Sequence, residues 1–207
     1  MSNASLVKQL RDETGAGFMD CKRAIEQADG DLDAAKKLLR EWGLAGVAKR
    51  AGRSAKEGGI FHYTHQLDPD IPAKVGVLVE CNCETDFVAK TDEFKELGRS
   101  LAKQVAAMEP RWITDEDVPT ELLDEWRDEI GRSDAVQGKP DDVKDKIIEG
   151  KISSRLSDKG GVLLAQPFFL DDSGKRTVGD LIGEIAVTVK ENIQVARFAR
   201  FRLGEEE

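Results

Sequence analysis

Apolar residues recur at helical spacing through the first 42 positions. Leu6, Val7 and Leu10 share a face behind Ser5, a residue suited to capping a helix start, and Thr14-Gly15-Ala16-Gly17 ends the run. Cys21, Ala24, Ile25 and Ala28 fall at i, i+3, i+4 and i+7, the stripe of a second helix closed by Gly30. Asp31 is placed to cap a third helix, with Leu32, Ala35, Leu38, Leu39 and Trp42 on one side and Gly43 at its end. The pattern predicts a three-helix bundle over 1–42, just large enough to fold alone. From 43 to 59 the large apolar residues thin to Leu44 and Val47, and Gly, Ala and basic side chains replace them; this reads as a partly helical linker.

Beyond the linker the chain reads as a core over 60–207. Ile60–Thr64 and Lys74–Cys81 are strand-like, the second through Val75, Val77 and Val79, and Asp68-Pro69-Asp70 with Pro72 supplies a turn-prone link. The pair predicts an antiparallel hairpin. Helical spacing returns near Thr91 with Phe94, Leu97, Leu101, Val105 and Met108, and Pro110 stops it. A further helix follows Val118-Pro119-Thr120, with Leu122, Leu123, Trp126 and Ile130 inward. Gly138-Lys139-Pro140 breaks it, and Val143, Ile147, Ile148 and Ile152 mark the next. Gln166-Pro167-Phe168-Phe169 reads as an extended apolar connection. Thr177 caps a last helix through Val178, Leu181, Ile182, Ile185 and Val189, and in a closing strand, Ile193–Leu203, Ala199, Phe201 and Leu203 alternate with Arg200 and Arg202. Strands early and late with helices between them predict an α+β fold with an antiparallel sheet, not a βαβ series.

Charge narrows the partners. The 207 residues carry 31 basic and 40 acidic side chains, net −9. Lys49, Arg50, Arg53 and Lys56 against Glu57 make the linker basic, and the core holds the acidic excess. An acidic body repels phosphate backbones, so direct nucleic-acid binding is disfavoured. No run of about 18 apolar residues is present, so no membrane-spanning helix is expected. The first residues lack a basic stretch followed by an apolar one, which leaves the cytoplasm, or an organelle matrix after removal of a transit peptide, as the expected location.

Enzyme signatures are missing: there is no phosphate loop, dinucleotide fingerprint or nucleophile elbow. His62, His65, Cys81 and Cys83 are a soft-ligand set, but Cys-x-Cys along a strand lacks the spacing of structural zinc, and no Cys-x-x-Cys precedes a helix. Neither a metal, a cofactor nor catalytic chemistry is expected. Two segments remain. Phe18 and Met19 follow a Gly-rich turn at the head of a helix, and adjacent positions lie about 100° apart, so both cannot face one small core. One is expected at the surface as a partner anchor. Glu84-Thr85-Asp86-Phe87-Val88-Ala89-Lys90 joins a strand to a helix. The residues alone favour a turn capped by Thr85 or Asp86 with Phe87 in the core; the other reading is a protruding Asp-Phe wedge.

These two segments, with Gly138-Lys139-Pro140, Glu149-Gly150-Lys151, Gln166-Pro167-Phe168 and Arg200-Phe201-Arg202-Leu203-Gly204-Glu205, occur in the order of the elongation factor Ts family, which the chain resembles over essentially its whole length. The resemblance implies a guanine nucleotide exchange factor for elongation factor Tu, with a ubiquitin-associated-type module at the N-terminus. It implies that Thr85, Asp86, Phe87 and Val88 dislocate Mg²⁺ in the partner, and that Arg11, Phe18 and Met19 match docking positions. The chain has one core half where longer members have two, and it lacks their coiled-coil insertion. By resemblance to short members, two copies are expected to pair. The competing class is a plain adaptor with no effect on nucleotide.

Overall fold

The computed structural model describes residues 3–14, 16–66, 68 and 70–205; Gly15 and Pro69 of the expected turns lie outside these. The chain divides into two compact units, and each has its own core. One comprises Met1–Gly58, Asn82–Thr91 and Ile182–Gln194. The other comprises Gly59–Cys81, Asp92–Leu181 and Val195–Glu207.

The first unit opens with α1 (Asn3–Thr14), α2 (Phe18–Gln27) and α3 (Leu32–Arg50). Leu6, Val7 and Leu10 pack with Cys21, Ala24, Ile25 and Ala35 in a closed core, flanked by Leu32, Leu38, Leu39 and Trp42. α1 starts at Asn3, so Ser5 lies inside its first turn and is not the cap. Asp31 does cap α3: its Oδ1 accepts the N–H groups of Asp33 and Ala34, both at 2.9 Å.

Gly43 does not end α3, which runs seven residues further, to Arg50. Its role is close approach: a Cβ here would meet Val187 Cγ2, on α8 (Val178–Val189), at 2.9 Å. A glycine costs an isolated helix about 1 kcal/mol relative to Ala, a local penalty that helix packing overrides.

The second unit is built around the antiparallel sheet formed by β1 (Glu57–His65), β2 (Val75–Cys83) and β3 (Gln194–Arg202), with β2 central. Val77, Val79 and Cys81 alternate to one buried face, as the β-branched run predicts. α5 (Asp92–Met108) contributes buried Phe94, Leu97, Leu101 and Val105, and the Phe61 and Phe94 rings meet edge-on at 5.9 Å. Gly98 is buried on α5 because the Phe61 ring occupies the space a side chain would need. This is the α+β architecture the pattern predicts.

α6 (Thr120–Gly131) and α7 (Asp141–Ser157) form a helical pair tied by Arg155, which donates to both Glu129 oxygens at 2.8 and 2.9 Å. A capping box closes the start of α8: Thr177 N–H donates to Asp180, and Asp180 N–H donates to the Thr177 hydroxyl. No helix among the described residues is long and apolar enough to cross a membrane.

Long-range polar contacts shape two further segments. In β3 the alternation is present, but Phe201 and Leu203 are exposed, while the Arg200 side chain is only 10% exposed. Arg200 is drawn in by Glu109, whose carboxylate also receives Lys159 and Arg202. The Gln166–Phe169 connection bends at Gln166, is extended at Pro167, which bridges antiparallel to Thr177, and turns again at Phe169. Fully buried Gln166 donates to the carbonyls of Met108 and Asp158, and its side-chain oxygen accepts from buried Gln104. Gln104 in turn donates to Pro167 O and accepts from Phe169 N–H.

Each buried polar group left unpaired costs about 1–3 kcal/mol. Gln166→Leu, similar in volume, should therefore destabilise the chain by about 3 kcal/mol. The check is the urea midpoint at unchanged slope; a shift within error would make the paired amides dispensable.

Candidate functional site

β2 ends at Cys83 and the chain turns at once into α4, the four-residue helix Asp86–Ala89. Thr85 is the cap: it has extended backbone angles, and its hydroxyl accepts Val88 N–H at 3.4 Å. Val88 points inward and is buried. With Val88 inward, the position one residue before it faces out. Phe87 is 79% exposed, so the core reading of this ring is overturned. Asp86 is exposed beside it, held by Lys90 one turn on at 2.5 Å. That ion pair raises the Lys90 ammonium above its ordinary range.

The turn that carries Phe87 is fixed from outside its own segment. One oxygen of Glu191 accepts the N–H groups of Glu84 and Thr85, each at 3.0 Å, and the other accepts the Thr85 hydroxyl at 2.6 Å. Glu84 answers by accepting Asn192 N–H at 2.7 Å and pairing with Arg53 at 3.5 Å. Sequence reading missed Glu191, Asn192 and Arg53 as parts of the site. They stand 31 to over 100 positions from the motif, and no spacing rule connects them to it.

Cys83 sits beneath this turn, its Sγ 3.1 Å from Thr85 O. Burial, and then the nearby Glu191 carboxylate, push its thiol up to about 11, which keeps it protonated and unreactive near neutrality. Burial likewise raises Cys21. Cys81 is buried too, whereas His62 and His65 are exposed, His65 Nδ1 lying 2.9 Å from the Tyr63 hydroxyl. Among the described residues no three His, Cys, Asp or Glu side chains gather into a metal-binding group.

The N-terminal helices offer a second exposed apolar group. Phe18 and Met19 open α2 behind Gly17, and both face solvent, at 56% and 69% exposure; the expectation was one of the two. The core takes Cys21, Ala24 and Ile25 from this helix, leaving the first two positions outside the stripe. Arg11 is exposed on α1. Nearby, Arg23 lies over the Trp42 ring at 4.0 Å and pairs with Asp20, holding the outer faces of α2 and α3 together.

An exposed Phe on a rigid turn, exposed apolar residues on a helical bundle and no reactive group in either place fit a protein that binds and displaces. Residues 43–205 match the family model for elongation factor TS. A protein named elongation factor Ts from Coprothermobacter proteolyticus is 50% identical over 203 residues, covering 98% of each chain. Relatives of the same name from Thermotoga neapolitana and Carboxydothermus hydrogenoformans are each 48% identical, over 97% and 99% of this chain and 96% and 90% of their own. The chain belongs to the elongation factor Ts family. Elongation factor Ts proteins are guanine nucleotide exchange factors of elongation factor Tu and carry out no covalent reaction. A turn that presents a ring without any nucleophile suits that activity.

Two outcomes follow for the elongation factor Ts fold. Phe87→Ala should lower stability by less than about 1 kcal/mol, against ~3–5 for a buried Phe, because little of the ring is removed from water. Chemical denaturation checks this, and a loss above about 2 kcal/mol would make Phe87 structural. Iodoacetamide at pH 8 should label Cys83 only when the protein unfolds; rapid labelling of the native chain would show the thiol to be accessible.

Proposed function

We propose that the chain releases GDP from elongation factor Tu by inserting Asp86 and Phe87 into the nucleotide-binding domain of its partner, where they displace the elements that hold Mg²⁺ and the phosphates. The observation that carries this reading is the almost complete exposure of Phe87 on a turn anchored by Val88 and Thr85. A large ring kept in water has forgone burial worth about 1.5–3 kcal/mol, which a partner's pocket can recover. Mg²⁺ demands near-octahedral oxygen geometry and bridges protein to phosphate, so small ligand displacements forfeit much nucleotide affinity. Binding of the factor and of GDP then weaken one another by the same factor, each 1.4 kcal/mol of coupling being roughly tenfold. Asp86 is free for the partner once its exposed pair with Lys90 opens, and Thr85 and Val88 act by holding the turn.

Residues 1–42 serve as a ubiquitin-associated-type docking module, with Arg11, Phe18 and Met19 on the contact face. Their exposure at the head of α2 supports this. Residues 43–59 are the basic linker of this scheme and 60–207 its core. The partner is a protein, not nucleic acid, and the expected place of action is the cytoplasm.

Two copies of the chain pair through the open face of the sheet. Ile60, Leu78 and Phe201 are exposed on β1, β2 and β3, with Leu203 just beyond. On β1 and β2 they alternate with the residues turned to the core. A two-fold partner would cover such a face with the same patch. The described cysteines are buried, so the pairing would be apolar and independent of oxidation.

Stopped-flow release of fluorescent GDP from elongation factor Tu tests the mechanism. Phe87→Ala should slow saturated release by about tenfold or more, equivalent to 1.4 kcal/mol of lost coupling. Deleting residues 1–42 should instead raise the concentration needed for half-maximal release. Unchanged release with Phe87→Ala would leave a plain adaptor. Sedimentation equilibrium in reductant should give a dimer that Phe201→Asp dissociates, and a fully active micromolar monomer would remove pairing from the mechanism.

A further inference from the structure

We infer that Glu191 is a positioning residue for exchange: its carboxylate holds the Glu84–Thr85 main chain so that Phe87 is presented in one fixed direction. The inference rests on the wedge reading above and extends it to a residue outside the motif.

Strand β2 stops at Cys83 and α4 begins at Asp86, so the N–H groups of Glu84 and Thr85 donate in neither element's own hydrogen-bond ladder. Their N–H groups both point at one acceptor, Glu191 Oε2, and the Thr85 hydroxyl takes the other oxygen. A single carboxylate therefore satisfies three donors on two consecutive residues, fixing the turn's peptide planes as well as its position. Because Thr85 is also the cap of α4, the hydroxyl that touches Glu191 Oε1 lies 3.4 Å from Val88 N, the donor it accepts. Any tilt at Thr85 is passed directly to Phe87, two residues on.

The carboxylate is itself anchored. Lys190, just before it, adopts a left-handed conformation with φ 60°, which turns the chain sharply at the end of α8. Asn192, just after it, donates N–H to Glu84 Oε1, and its side chain donates to the carbonyls of Ala51 and Arg53 at 3.2 and 2.8 Å. Glu84 and Glu191 thus each accept from the other's segment, and Asn192 ties both to the chain leaving α3. The carboxylate satisfies the turn's main-chain donors and, in doing so, fixes the direction of the turn. A ring that must keep its direction against a partner's resisting structure requires this, since a misplacement of about 1 Å can cost 100-fold in rate.

The test uses the full-length chain in the GDP-release assay, with the saturated rate and the half-maximal concentration measured separately. Glu191→Ala should slow saturated release about tenfold or more while moving the half-maximal concentration less than about threefold, since the docking residues are untouched. Glu191→Gln keeps the shape and two acceptor lone pairs and should restore most of the rate. Adding Glu191→Ala to Phe87→Ala should cost little more, because the first acts through the second. Hydrogen exchange of the Glu84 and Thr85 amides should accelerate in Glu191→Ala, with the helices of residues 3–50 unaffected.

A wild-type rate for Phe87→Ala alone would overturn the wedge itself. A slow Phe87→Ala with a wild-type Glu191→Ala, additive effects in the double variant, or unchanged amide protection would overturn the latch and leave the wedge standing. A Glu191→Gln as slow as Glu191→Ala would overturn positioning by hydrogen bonds.

Discussion

The exposed ring of Phe87 depends on a carboxylate more than 100 positions away in the chain. Glu191 accepts both main-chain donors of the turn before α4 and the hydroxyl that caps it. Without that acceptor, two N–H groups between a strand and a one-turn helix would have to find water or rearrange. A helix of four residues cannot sustain itself by its own hydrogen bonds, because nucleation is costly and only elongation recovers it. α4 exists because Thr85 caps it, Val88 is buried beneath it and Glu191 fixes its approach. With those three contacts in place, Phe87 stands 79% exposed.

The division of labour proposed for the first unit rests on which apolar residues its core uses. The three-helix core is closed by small and aliphatic side chains, so Phe18 and Met19 are not needed for packing and remain free to bind. Flexible Met beside an aromatic ring makes an adaptable contact, suited to affinity. Phe87 sits on a turn fixed by charge-assisted hydrogen bonds, suited to displacement. On the proposed reading, the factor would grip with the adaptable surface and push with the fixed one. Neither requires a reactive group, and the buried, protonated Cys83 thiol adds none.

Much of this was legible in the sequence wherever the governing contact is local. The stripes of α1, α2 and α5, the Asp31 and Thr177 caps and the alternation of β2 depend on neighbours within a turn or a strand, and the chain shows them directly. The α+β class followed from their order. Gly43 misled because its reason is a valine on another helix; local propensity reads a stop where packing demands a close approach. The alternation of β3 was legible, but not which set turns inward: Glu109, at the end of α5, supplies a carboxylate that draws Arg200 in. At the site, residue spacing alone put Phe87 in the core, and the family resemblance put it outside. Physical reading failed there because the groups that hold the turn open, Glu191 and Asn192, carry no pattern linking them to it.

The central claim is that the Phe87 ring enters the partner during exchange. A benzophenone side chain in place of Phe87 allows the most direct test: photo-crosslinking in the complex with GDP-bound elongation factor Tu, followed by mapping of the joined peptides. The account predicts a crosslink from position 87 into the nucleotide-binding domain, near the elements that hold Mg²⁺ and the phosphates. A photoproduct joining position 87 only to a second copy of this chain, or none while the same reporter at position 18 crosslinks efficiently, would contradict it.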